Sequence, residues 1–124
     1  MAVAFNTTTP KKLLNQFNAR IEQTDQEGKI KTWVRSDDKA YYTHTADEWN
    51  SLAWFQPSVE DSKLVFYIIK PKNQDIGTVT YGYYHGHLTE TFLNHFDNLF
   101  TDAISSASPK GKEDRTSTRL NSSH

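Results

Sequence analysis

The segment Leu64-Val65-Phe66-Tyr67-Ile68-Ile69 decides the fold class of this chain. A strand with one solvated face alternates apolar and polar residues, whereas a strand covered on both faces is a continuous apolar run. This segment, bounded by Lys63 and Lys70, matches the second pattern. We therefore predict a central strand at residues 63–70, with a sheet built around it.

Four further strands are predicted on either side of this segment. They are short runs of β-branched and aromatic residues between turn-forming residues, at positions 30–35, 39–44, 51–56 and 78–84. Residues 57–62 are predicted to be the loop of a hairpin that joins the third of these strands to the central strand.

Two helices complete the pattern. Thr9 and Pro10 are typical of a helix start, and Leu13, Phe17 and Ile21 follow at helical spacing, so a helix is predicted over residues 10–24. A longer helix is predicted over residues 87–104 from a core-facing stripe of Leu88, Phe92, Phe96, Leu99 and Ala103. The expected fold class is α+β: an antiparallel sheet of about five strands with an N-terminal and a long C-terminal helix packed on one face.

The length of 124 residues favours one domain, which we place at residues 1–105. Residues 106–113 are rich in Ser, Pro, Gly and Lys and are predicted to be a frayed linker. Residues 114–124 lack apolar periodicity, and they resemble a translated sequencing-library adapter at every position but Thr116. We expect this tail to be disordered and not native.

Composition excludes several classes of protein. The chain has no cysteine, so disulfides, thiol catalysis and Cys-ligated zinc are excluded. It begins without a secretory signal and contains no apolar run long enough to cross a membrane. We expect a cytoplasmic protein with no membrane segment and no cofactor.

Charge is distributed unevenly along the chain. Residues 40–102 contain three Lys and eight Asp or Glu, and no Lys or Arg occurs between Gln74 and Pro109. Nucleic-acid binding requires a basic surface, so we expect no nucleic-acid partner. The acids of the last helix, Glu90, Asp97 and Asp102, are instead predicted to form a surface for a protein partner.

One group of residues could carry chemistry. Tyr83, Tyr84, His85 and His87 lie together, His95 follows, and all five are candidate ligand-binding residues. If the segment is a strand, His85 and His87 share a face; if it is a helix, His87 and His95 share a flank. His85, His87 and His95 are therefore candidate nitrogen ligands for zinc, although no HExxH motif or cysteine supports them.

Two classes of function follow from these patterns. We favour a non-enzymatic protein-interaction module, such as a bacterial accessory, immunity or adaptor protein that binds a protein partner or forms a homodimer. No catalytic residue is assigned in this interpretation, since no nucleophile elbow or phosphate-binding loop is present. The second hypothesis is a small metal- or ligand-binding enzyme that uses His85, His87 and His95.

Overall fold

The computed structural model describes residues 2–71 and 75–107. Its elements, in chain order, are β1 (Ala2–Asn6), α1 (Pro10–Glu22), β2 (Trp33–Arg35), β3 (Tyr42–His44), β4 (Trp54–Glu60), β5 (Lys63–Ile69), α2 (Thr78–Phe96) and β6 (Asp102–Ser105). The strands form one antiparallel sheet in the order β2-β3-β4-β5-β1-β6. The predicted α+β class is confirmed, with six strands in the described part of the chain where about five were expected.

β5 is a central strand, as its apolar sequence predicted. It lies between β4 and β1 in the sheet. Leu64, Phe66 and Ile68 are fully buried on one face, and Val65 and Ile69 are buried on the other. Both faces of the strand are covered, which explains why its residues are apolar apart from Tyr67 and the residues at the strand ends.

The N-terminal helix is also confirmed, with Leu13, Phe17 and Ile21 buried against the sheet. It ends at Glu22, two residues before the predicted end. The ammonium group of Lys29 donates to the carbonyl oxygens of Ile21 and Gln23 at 2.6 and 2.7 Å. This contact satisfies carbonyls that the helix end leaves without an intrahelical partner.

The prediction of a strand at residues 78–84 is wrong, because these residues form the first half of α2. In a helix, Tyr84, Leu88 and Phe92 fall on one side, and all three are fully buried. The β-branched and aromatic residues of this segment predicted a strand, but Val79 is 76% exposed and contributes nothing to a sheet.

The C-terminal end of this helix was also misplaced. α2 ends at Phe96, and residues 102–105 form strand β6. Leu99 and Ala103 still pack against the core, but from a loop and a strand. The physical reason is pairing with β1, whose residues Val3 and Phe5 are fully buried and which the sequence analysis did not assign as a strand.

The remaining differences concern the lengths of strands. β2 and β3 have three residues each, and β4 continues to Glu60 through the segment predicted to be a loop. Pro57 is tolerated inside β4 because β3 pairs with β4 only at Tyr42 and Phe55. β4 therefore behaves as an edge strand beyond that point, where a missing N–H is harmless.

Both edges of the sheet contact α2. The indole Nε1–H of Trp33, in edge strand β2, donates to Thr91 Oγ1 at 2.9 Å. At the opposite edge, Ser105 Oγ of β6 lies 2.7 Å from His85 Nδ1. Side chains of both edge strands therefore contact the same helix.

Two predictions fall partly or wholly outside the described residues. These are the tail at residues 114–124 and the linker at residues 106–113 beyond residue 107. Within the described residues, neither helix is long and apolar enough to cross a membrane.

Candidate functional site

The five residues predicted as ligand-binding candidates all lie on α2 but point in different directions. Consecutive helical residues are about 100° apart, so His85 and His87 lie on nearly opposite sides. The structure does not bring His85, His87 and His95 together. Among residues 2–71 and 75–107, no group of three or more His, Asp or Glu side chains is placed to hold a metal ion.

His87 instead contacts His44, a residue that the sequence analysis did not single out. His44 Nε2 lies 3.1 Å from His87 Nδ1. On its other side the His87 ring stacks on Tyr83, with centroids 4.1 Å apart, and Tyr83 stacks on Trp49 at 3.8 Å. No local sequence pattern indicates this cluster, because β3 and α2 are far apart along the chain and meet only in the folded protein.

The backbone fixes which nitrogen of His44 carries a proton. The N–H of Ala46 donates to His44 Nδ1 at 3.1 Å, so this nitrogen is unprotonated. The neutral ring then holds its hydrogen on Nε2, which donates to His87 Nδ1. Burial, together with the neighbouring His87, lowers the pKa of His44, although Glu48 acts in the opposite direction. The neutral ring of His44 is thus the donor in its hydrogen bond with His87.

This arrangement leads to a prediction about zinc. A metal bound by His44 Nε2 would require the ring proton to move to Nδ1, where it would face the N–H of Ala46. We expect calorimetric titration with Zn²⁺ to show no saturable one-to-one heat and a chelator to leave the melting temperature unchanged. Tight stoichiometric binding that is lost in His87→Ala would contradict this expectation.

Tyr84 anchors the same flank of α2. Its fully buried hydroxyl donates to the carbonyl oxygen of Trp49 and lies 3.1 Å from Thr43 Oγ1. Burial is the main cause of its raised pKa, so the hydroxyl stays protonated at neutral pH. These contacts leave no space for a ligand beside Tyr84, and we assign it to the core.

His95 stands apart from the other histidines, near the end of α2. Its ring is half-buried beside Phe96, at a centroid distance of 5.9 Å. Burial and the charge of Arg20 lower its pKa. It therefore sits at the boundary of the core, separate from the other candidates.

The opposite flank of α2 is open. A groove of about 680 Å³ runs between this flank and the end of β6, and we call it the α2–β6 groove. One wall is the open face of α2, and the other is Ser105 at the end of β6 together with residues 106 and 107. The residues of α2 that form the wall are chiefly Tyr81, Gly82, His85, Gly86, Glu90 and Leu93. Its volume is within the range of ligand pockets.

His85 has an unusual position in this groove. The ring is buried and packs on Phe55, at a centroid distance of 5.9 Å. Its Nδ1 atom is hydrogen-bonded to Ser105 Oγ. Nε2 is also buried, yet it has no hydrogen-bond partner among the described residues. Burial lowers the pKa of His85 to about 4, so the ring is neutral at physiological pH.

The contact between His85 and Ser105 has the distance expected of a general base and a nucleophile. A base is most effective when its pKa lies near the working pH, because it must take the hydroxyl proton in the transition state. At a pKa of about 4, His85 has little driving force to do so. We therefore interpret this pair as a structural contact between α2 and β6.

Two glycines keep the groove open. A Cβ atom added at Gly82 or Gly86 would meet nothing within 4 Å. Both glycines lie inside a helix, where glycine is less favourable than alanine by about 1 kcal/mol. The surface of α2 therefore has a recess at Gly82 and Gly86, although the space there would accept almost any side chain.

The predicted acidic surface is only partly continuous. Glu90 is exposed and lines the groove, whereas Asp97 follows α2 and Asp102 lies in β6 rather than on a helix. Asp102 accepts a hydrogen bond from Asn6 Nδ2 at 2.8 Å. Of the three acids, only Glu90 is among the described residues that line the α2–β6 groove.

Comparisons with known proteins identify no relative: no family model, no curated protein and no solved structure matches the chain. The geometry of the groove and the chemistry of its lining are therefore the basis for a functional assignment.

Proposed function

We propose that this protein is a non-enzymatic interaction module that binds a segment of a protein partner in the α2–β6 groove. The observation that carries the proposal is the open recess over Gly82 and Gly86. Side chains of this protein do not fill the recess, so side chains of another molecule can enter it.

The character of the lining supports binding rather than catalysis. Leu93 is 53% exposed and provides an apolar contact, and Tyr81 contributes an aromatic ring. Glu90 provides charge, while His85 is too weak a base for proton transfer at neutral pH. The enzyme hypothesis based on His85, His87 and His95 gains no support from where these side chains lie.

The proposal is tested by filling the recess. A phage-displayed library of random decapeptides is selected on the immobilised protein, and enriched peptides are measured against Gly86→Leu and Gly86→Ala. We expect Gly86→Leu to weaken binding at least about tenfold, a loss near 1.4 kcal/mol, because leucine occupies the recess. Gly86→Ala is the matched control, and we expect it to bind within about twofold while stabilising the helix by roughly 0.5–1 kcal/mol.

Thermal unfolding verifies that both variants are folded. Enriched peptides that bind Gly86→Leu as well as they bind the unchanged protein would place the docking site elsewhere. A library from which no peptide is enriched would also contradict the proposal.

A further inference from the structure

The α2–β6 groove lies where the sheet ends. Among the described strands β6 pairs only with β1, so its other edge has no strand beside it. The N–H and C=O groups of such an edge can pair with a further chain. We infer that the groove takes an extended peptide, which adds to β6 as a seventh strand and places a Lys or Arg against Glu90. This inference rests on the proposed function.

The groove meets β6 at Ser105, the last residue of the strand, where a peptide in the groove can begin to pair with the free edge. One wall is the end of β6 and the two residues that follow it, and the other is the open flank of α2. β6 has four residues, which extend over roughly 13 Å, so a segment of four or five residues would match it. In this binding mode main-chain hydrogen bonds provide affinity, and alternate side chains provide specificity.

The spacing of the helix predicts which side chains are recognised. Gly86 and Glu90 are one helical turn apart, about 5–6 Å along the groove. Alternate side chains of a strand point to the same side and are separated by roughly 6.6 Å. A residue that enters the recess at Gly86 therefore brings the residue two positions away close to Glu90. The expected motif is an apolar residue and a Lys or Arg with one residue between them.

Charge favours a basic peptide over a second copy of this chain. Glu90 is the one charged residue among those that line the groove in the described part of the chain. The sequence has no Lys or Arg from Asp75 to Ser108 that could neutralise it. In a symmetric dimer paired through β6, the same segment of the second copy would bring no Lys or Arg to Glu90 either.

The buried Nε2 of His85 is an independent sign of a missing partner. Buried polar atoms are almost always hydrogen-bonded, and this one has no partner among the described residues. His85 lines the groove, and its Nδ1 is already occupied by Ser105. A polar group of a bound segment would complete the hydrogen bonding of this ring.

The test uses the enriched decapeptides, resynthesised with N-methyl groups on alternate residues in either of two registers. In a bound strand every second N–H points toward β6, so methylation in one register should reduce affinity at least about tenfold while the other leaves it nearly unchanged. Glu90→Lys should weaken the same peptides by about tenfold. Asp97→Lys is the matched control, since Asp97 is exposed but does not line the groove.

Each outcome has a definite meaning. Peptides that depend on the Gly86 recess but tolerate N-methylation in both registers would overturn strand addition and leave the proposed function intact. Equal effects of Glu90→Lys and Asp97→Lys, or enriched sequences without the apolar–x–basic motif, would overturn the basic-peptide assignment. If sedimentation shows a dimer that Gly86→Leu dissociates, the occupant is a second copy of the chain. If no peptide is enriched, both the inference and the proposed function fail.

Discussion

Replacing Phe92 with alanine is expected to lower the free energy of unfolding by about 3–5 kcal/mol, the usual range for a buried phenylalanine. Phe92 is fully buried on α2 and stacks on Phe5 of β1, with ring centroids 4.1 Å apart. It also contacts Phe17 of α1 and Phe66 of β5, at 4.9 and 5.6 Å. The ring therefore joins both helices to two strands, and its removal leaves a cavity that all four elements border.

Chemical denaturation of Phe92→Ala measures this effect. Leu93→Ala is the matched control, because Leu93 is the next residue in the same helix and is 53% exposed. We expect the control to change stability by less than about 1 kcal/mol. Similar losses in the two variants would show that α2 does not pack on the sheet through Phe92. Because small domains are stable by only about 5–15 kcal/mol, the Phe92 variant should be visibly closer to unfolding.

The second large effect is expected from acid. Burial lowers the pKa of His85 from its ordinary 6.5 to about 4, so the unfolded chain binds a proton more readily than the folded chain. The contribution of the neutral His85 ring to the free energy of unfolding is therefore fully present above pH 6.5 and is lost as the pH falls toward 4. A difference of this size corresponds to about 3 kcal/mol. The lowered pKa values of His44 and His95 act in the same direction.

Denaturation at a series of pH values from 7 to 4 measures this loss. His85→Asn is the matched variant, because asparagine can still reach Ser105 with a polar group but does not titrate. The test is the slope and not the value at pH 7. Between pH 6.5 and 4, the free energy of unfolding of His85→Asn should fall less steeply than that of the unchanged protein. Parallel curves for the two proteins would show that His85 is not the source of the acid sensitivity.

Much of the fold could be predicted because the decisive patterns are local. The apolar run of β5 requires cover on both faces wherever it lies in a sheet. α1 combines a proline at its first turn with three apolar residues at helical spacing. In both segments the local preference and the tertiary structure agree, so the prediction was correct.

The candidate site was only partly predictable. His85, His87 and Glu90 stand out in the sequence, but the directions of their side chains depend on whether the segment before them is a strand or a helix. His44 and Ser105 do not stand out, since each lies far along the chain from its histidine partner. The α2–β6 groove has no sequence signal other than Gly82 and Gly86, and isolated glycines are ambiguous in both helices and strands.

The fold class, the central strand and the N-terminal helix follow from the sequence alone, because each depends on the periodicity of neighbouring residues. The helical state of residues 78–84 depends instead on packing in the folded chain. There Tyr84 and Leu88 gain more from burial against the core than the helix loses through its two glycines. Residues 102–105 pair with β1 and so do not continue the helix that the apolar stripe predicted. One flank of α2 is therefore open beside the edge of the sheet.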